Sequence, residues 1–404
     1  MNRGPDGRIV VLMITAFVDM VGLLMVIPLI PFYALKLGAN GFVVALLVSS
    51  FSVAQLLSAP LWGRFSDRYG RRPALMVGLF ASAVAYVVFA YADTLWLLFL
   101  SRIVQGAGGG TVGVIQAYIA DATRPEDRAK SLGWLSAATN LGVAIGPVIG
   151  SATAVLGERT PGLVAAVLCL VNILFASRYL TESHDVAAAR ATPAAPRRAR
   201  EALLRVLSHP GEPASRLIWI YAIAIGAFYS TNAILALFLE RRFAVTAATI
   251  GYFFTYIGVL SVLSRAVILG RMVDHFGEAR LSRIGVVLLA SGLFLLPLTH
   301  DYVTLAVAVA LLPLGTAFTF PCVTALLSHV IPSHERGLYM GVQQTFGGIT
   351  RSFLPAVMGL AWDHLWTGAA FWIGGTLVAG TLVLSAGVDR FTTAEPEPAT
   401  AAKG

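Results

Sequence analysis

The chain has 404 residues, of which 57% are apolar and only 12% charged, with a mean hydropathy of +0.77 and a formal net charge of +8. That balance excludes a water-soluble globular protein and points to an integral membrane protein. The basic surplus reflects topology rather than nucleic-acid binding, because most of the 29 Lys and Arg fall in the two ends and in alternate loops between apolar runs.

A helix needs about 20 apolar residues to cross a hydrocarbon layer of roughly 30 Å. Such stretches are spans 1 to 12, at 9–33, 42–63, 73–92, 95–120, 131–155, 160–180, 215–240, 247–270, 282–299, 302–329, 337–362 and 367–389. The runs are long and show no strand alternation, so they predict helices and not a barrel. Span 1 is too long for a cleaved leader and lacks a small-residue cleavage site, so it is read as the first helix. The basic residues put both termini in the cytoplasm, facing anionic lipid headgroups.

Span 1 holds the sharpest single residue. Asp19 sits about 15 Å into the helix at 1.5 Å per residue, where an ionised carboxylate is costly and a functional role is the default. Spans 2 and 3 meet in the charged elbow GRFSDRYGRRP at 63–73. There Gly63 and Gly70 permit a sharp turn, Asp67 suits the positive end of a neighbouring helix, and Arg71 and Arg72 stay at headgroup level. Span 4 opens LSRIVQGAGGG at 100–110, with Arg102 about two turns in. Its glycines 108–110 and 113 suit helix packing, and without a following Lys they make no phosphate loop. In span 5, Gly142, Gly146 and Gly150 recur every fourth residue beside Pro147, giving one bare, bent face for another helix.

Residues 181–214 interrupt the apolar runs and read as a cytoplasmic linker. Within it, Leu203, Leu204, Val206 and Leu207, flanked by Arg200 and Arg205, suit a short amphipathic helix on the membrane surface or a flexible tether. Span 9 follows a second elbow, GRMVDHFGEAR at 270–280, which keeps Asp274 and Gly277 but carries Glu278 and Ala279 in place of the Arg pair. Span 11 holds Arg351 roughly 21 Å in. Residues 391–404 have the composition of a disordered tail.

Cys169 and Cys322 both fall inside spans and read as packing residues. The seven histidines lie mostly in loops or at span ends, without a pairing that makes a metal site. No nucleophile or nucleotide motif stands in a suitable context, so neither catalysis nor a cofactor is expected.

The elbow is one of several repeated landmarks. A shift of 207 puts Gly63, Asp67, Gly70 and Pro125 onto Gly270, Asp274, Gly277 and Pro332; a shift of 208 puts Arg128, Gly133 and Pro147 onto Arg336, Gly341 and Pro355. Two parallel six-helix repeats joined by a linker are the plan of a rocking carrier. The domains are therefore an N-terminal bundle at 1–180, the linker at 181–214, a C-terminal bundle at 215–390 and the tail.

The elbow, LSRIVQGAGGG, FVDMVGLLMVIPLIPFY at 17–33 and LGVAIGPVIG at 141–150 together resemble the major facilitator superfamily, within it the twelve-span drug:proton antiporters of the bacterial tetracycline-resistance type. The resemblance covers about residues 9–390. It implies an all-α fold of twelve transmembrane helices in two pseudo-symmetric bundles, embedded in the bacterial inner membrane as a monomer and exporting small amphipathic compounds against protons by alternating access. The alternative is a metabolite or sugar uptake carrier of the same superfamily. The resemblance also makes helix 11 the neighbour of Asp67, so that Asp67 would latch a cytoplasmic gate, with Asp274 a weaker copy.

The same resemblance makes helices 1 and 4 neighbours. Asp19 would then load a proton and loosen a pairing with Arg102, or the two would form a fixed structural pair. It sets the span 5 glycines against helix 8 as a seal against leaking protons. It also lines a cavity with helices 1, 4, 7 and 10, flanked by 2, 5, 8 and 11. Substrate contacts would come from Tyr33, Gln55, Gln116 and Asn140 in the first half. In the second they would come from Phe228, Tyr229, Asn232, Tyr256, Gln343 and Phe346, with Arg351 either attracting an anionic substrate or serving structure. One departure stands out: tetracycline exporters carry an acidic residue in helix 9, and LSRIGVVLLASGLFLLPL has none, which argues against tetracycline itself.

Overall fold

The computed structural model describes residues 7–183, 196–332 and 335–387. The tail 391–404, most of the linker before Pro196, and His184 and His334 lie outside the described residues. Among those described, every regular element is helical. We label the long helices α1 (Gly7–Lys36), α2 (Gly41–Tyr69), α3 (Arg71–Ala90), α4 (Leu95–Ala122), α5 (Pro125–Ala154) and α6 (Thr160–Tyr179). After the linker helix Pro196–Ser208 come α7 (Pro213–Phe243), α8 (Ile250–Phe276), α9 (Glu278–Leu298), α10 (Tyr302–Val330), α11 (Arg336–His364) and α12 (Ala369–Ser385).

Among the described residues, ten of these helices are long and apolar enough to cross a membrane; α12 is apolar but shorter, and α11 carries Arg351 in its middle. Large apolar side chains such as Leu57, Leu61, Leu174 and Val383 are exposed, an arrangement that water would not favour and a membrane accommodates. Helix starts are satisfied locally. Asn40 accepts the Val43 N–H of α2 at 3.0 Å, and Asp301 accepts from Val303 and Thr304 of α10. The Thr304 hydrogen bonds, with the Val303 N–H behind them, hold Asp301 below the usual carboxylate value.

Two compact units are present. Unit 1 comprises 1–194 with 229–262 and 351–371, so it includes the second part of α7, the first part of α8 and the end of α11. Within it α1 packs along α5 and α6, α3 along α4 and α6, and α2 along α4, around a core that includes Leu12, Leu75, Ile115, Tyr118 and Leu135. Unit 2 comprises 195–228, 263–350 and 372–404. There α9 and α10 pack along their lengths, with Leu281, Ala317, Phe318 and Cys322 between them. The linker helix buries Ala202 and Val206 and leaves Leu204 and Leu207 exposed, so its apolar residues are shared between packing and surface.

The α5 glycines face a different neighbour from the one expected. A Cβ at Gly142 would stand 2.8 Å from the Phe17 carbonyl oxygen, one at Gly146 2.9 Å from that of Val21, and one at Gly150 would run into that of Met25, so the stripe seats α1 and not α8. The face of α5 turned to α8 carries Ala144, Pro147 and Ser151, and there α8 supplies the glycines. Gly258 lies against Ala144, and Gly251 donates its N–H to Ser151 Oγ at 2.8 Å. Residues four apart share one helical face, whereas 144, 147 and 151 define another.

Forcing side chains into the α1–α5 contact should cost about 1–3 kcal/mol through overpacking. Gly146→Val should lower the melting temperature of the detergent-solubilised protein, whereas Gly113→Ala, which has open space around it, should melt with the wild type. A Gly146→Val protein as stable as the wild type would contradict the contact.

Candidate functional site

Asp19 is buried on α1, and its Oδ2 accepts a hydrogen bond from Thr111 Oγ1 at 3.0 Å. Thr111 reaches it because α4 is broken. The helix runs Leu95–Gly108, pauses at Gly109 and Gly110, and resumes at Thr111. A break inside a membrane frees backbone carbonyls that must find partners. Here α2 supplies them: Gln55 Nε2 donates to Gly109 O at 3.2 Å and Trp62 Nε1 to Ala107 O, while Ser58 Oγ adds a hydrogen bond to Gly106 O at 3.4 Å, a carbonyl that also takes the Gly109 N–H. A side chain at Gly110 would collide with the Trp62 ring, so the glycine run serves both the break and the close approach. Gln55, expected at the substrate, thus supports the break.

Arg102 lies on the earlier segment of α4, nine residues or about 13 Å before Thr111 along the axis. It forms no ion pair with Asp19: Thr111 holds the carboxylate, and the guanidinium lies over the Phe89 ring at 5.9 Å. Arg102 is 2% exposed, yet among the described residues its Nε and Nη2 have no hydrogen-bond partner, and neither do Gln105 Oε1, Thr15 Oγ1 and Ser49 Oγ. Tyr86 on α3 is buried close to Asp19, Arg102 and Gln105. Its ring packs against Gly22, one turn beyond Asp19. The result is a polar seam through the apolar core of unit 1, with spare donors and acceptors of the kind that buried water satisfies.

The elbow is built around Arg71. Its Nε donates to Asp121 Oδ2 at 2.9 Å, and Nη1 donates to Asp67 Oδ1 at 2.6 Å and to Ser66 Oγ at 2.9 Å. Gly70 turns the chain at φ 103°, and Glu182, just past α6, accepts the N–H groups of Arg71 and Arg72 at 2.9 and 3.0 Å. A Cβ on Gly70 would stand 2.5 Å from that carboxylate, so the glycine is required twice over. Arg72 itself donates to Ser177 O. A Cβ at Gly63 would have open space around it. In the second elbow Gly277 also turns with positive φ, at 72°, while Glu278 approaches His329 Nδ1 at 3.4 Å. At the same shift of 207 that relates the two elbows, Glu278 stands where the first elbow has Arg71, so the charge at that position is reversed.

The remaining candidates scatter. Tyr33 donates to the Glu158 carbonyl and packs at a tilt of 47° against the Phe89 ring, and Lys36 pairs with the Glu158 carboxylate. Phe346 is buried edge-on against Trp219, and Gln343 accepts from Thr324 at 3.3 Å, so both are occupied inside unit 2. Arg351 lies 5.2 Å over the Tyr229 ring, a contact between α11 and α7 in unit 1. Gln116 and Tyr256 are exposed, and Asn140, Phe228 and Asn232 are half-buried. Sequence reasoning missed Thr111, Tyr86, Gln105 and Glu182. Thr111 was detectable as the polar residue directly after a helix-breaking glycine run; the others leave no comparable mark.

The two ion pairs of Arg71 should differ in strength, because the Asp121 side chain is 30% exposed and that of Asp67 59%. A double-mutant cycle on melting temperature should give an Arg71–Asp121 coupling of about 1–3 kcal/mol and an Arg71–Asp67 coupling below about 1 kcal/mol. The reverse order would show that the elbow is anchored at Asp67.

The chain resembles known membrane transporters along most of its length. The chain is 29% identical over 354 residues to multidrug resistance protein 1 of Bacillus subtilis (strain 168), covering 87% of this chain and 89% of that one. It is 29% identical over 391 residues to the class C tetracycline resistance protein of Escherichia coli, covering 92% and 94%, and 26% identical over 371 residues to the class B protein, covering 90% and 91%. Among solved structures, a human organic anion transporter shares the fold with a TM-score of 0.69 at 22% identity, covering 95% of this chain and all of that one. A D-xylose–proton symporter does so with 0.74 at 16%, covering 94% and 96%. A sequence profile of the Major Facilitator Superfamily matches residues 12–267 and 217–403, and the chain belongs to that superfamily of membrane transporters.

Proposed function

We propose that this protein exports small amphipathic compounds in exchange for protons, by alternating access of two six-helix halves, 1–180 and 215–390, in a bacterial inner membrane. Both termini are cytoplasmic, and the protein works as a monomer among anionic lipids without a cofactor. The observation that carries the reading is Asp19, a carboxylate buried in α1 whose hydrogen-bond partner comes from a break in α4. A carboxylate in that setting is a proton carrier by default. The multidrug and tetracycline resistance proteins among the relatives support the direction and the substrate class.

Proton and substrate compete through the same seam. With Asp19 protonated, Thr111 and the α4 break hold a neutral site; as the proton leaves, the charge must be met by a cationic substrate or by movement of Arg102 toward it. Arg102 with two unpartnered nitrogens favours a second reading, an anionic substrate that would pair with it. The elbow around Arg71 keeps the ends of α2, α3 and α4 together while the halves move.

Efflux of ethidium from loaded cells or vesicles tests the proposal. Wild-type efflux should collapse when an uncoupler removes the proton gradient, Asp19→Glu should retain part of it, and Asp19→Asn should lose gradient-driven efflux. Asp19→Asn export that still collapses with the gradient would rule out this carrier. Uncoupler-insensitive efflux of the wild type would rule out proton coupling, and preference for fluorescein over ethidium would favour the anionic reading.

A further inference from the structure

The first amides of a helix have no partner within it and must find acceptors elsewhere. In α2, Val43 N–H goes to Asn40 Oδ1, but Gly41 N–H and Phe42 N–H go to the two oxygens of Asp363, at 2.9 and 2.8 Å, from a residue 322 positions away near the end of α11. The carboxylate therefore grips two donors at once, at the end of a helix where the backbone carries partial positive charge.

The surrounding packing is fitted to this grip. A Cβ at Gly359 would stand 2.7 Å from Ala45 Cβ and 2.8 Å from Phe42 Cα, and one at Gly41 would strike the Trp362 ring and stand 2.8 Å from Asp363 Oδ1. Each helix thus offers a glycine where the other comes closest. Ala45, Met358 and Ala361 are buried beside them. All these groups belong to unit 1, in which the end of α11 packs with the first half of the chain.

We propose that Asp363 is an external latch: a positioning residue whose carboxylate holds the N-terminus of α2 against the end of α11, closing the outer mouth of the transport path, and whose release permits the outward-open state. The proposal rests on the alternating-access reading and on the orientation given above. The latch requires an acceptor with two oxygens and a full charge, so an amide at this position keeps the shape but loses the grip on one N–H.

The test uses the full-length protein with Cys169 and Cys322 replaced by Ser and spin labels on Leu37→Cys and Leu365→Cys, which flank the latch. Distance distributions are recorded in lipid with and without ethidium at acid and alkaline pH. Asp363→Asn should raise the ratio of long to short distances by about fivefold or more, the scale of a lost charge-assisted pair, while Asp363→Glu should restore much of the short population. A purely structural role would lower the melting temperature of Asp363→Asn and leave the distances as they were; that result would overturn the latch. A wild type that holds a single distance under every condition would sink alternating access, and the latch would still be decided by whether Asp363→Asn lengthens that distance.

Discussion

A carboxylate enclosed by apolar helices is the constraint around which the first half of this protein is arranged. Asp19 cannot be left without a partner in such surroundings, and its partner is a hydroxyl delivered by an interruption in α4. The interruption creates a second problem, since backbone carbonyls without hydrogen bonds are costly in a membrane. Gln55, Ser58 and Trp62 of α2 solve it. One charge on α1 therefore dictates a glycine run on α4 and a row of donors on α2, and the three helices become a unit for a reason beyond apolar packing.

Arg102 and the atoms around it carry the same logic to an unfinished state. A buried guanidinium with unpartnered nitrogens is the kind of group that water, a substrate or a moved carboxylate completes. In the account proposed here that incompleteness is functional: the seam between Asp19 and Arg102 is where a proton or a ligand changes the balance. At the ends of the helices the charges are paired instead. Arg71 gathers Asp67 and Asp121, Glu182 satisfies the start of α3, and Asp363 satisfies the start of α2. Besides the local cap at Asp301, carboxylates distant in sequence thus complete two helix starts, one from the chain after α6 and one from the far end of α11.

Much of this was legible in the residues. The long apolar runs mark the helices, because lipid imposes a length, and Asp19 is conspicuous because a charge in such a run is rare. The elbow is visible through Gly70, whose positive φ only glycine adopts with ease. Other features were not legible because they depend on rotation and long-range contact. Depth along two helices suggested Asp19 with Arg102, but the α4 break changes which residue of that helix arrives at Asp19. The four-residue spacing of Gly142, Gly146 and Gly150 revealed a bare face of α5 without saying that α1 occupies it. Asp363 lies at a span end, where acidic residues are common, and only the fold brings it to Gly41 and Phe42.

The central claim is that Asp19 exchanges a proton when substrate binds. Proton release on adding ethidium to the purified protein in weakly buffered detergent solution measures this directly. The account predicts release by the wild type and none by Asp19→Asn, with both proteins binding the dye; equal release from the two would contradict it.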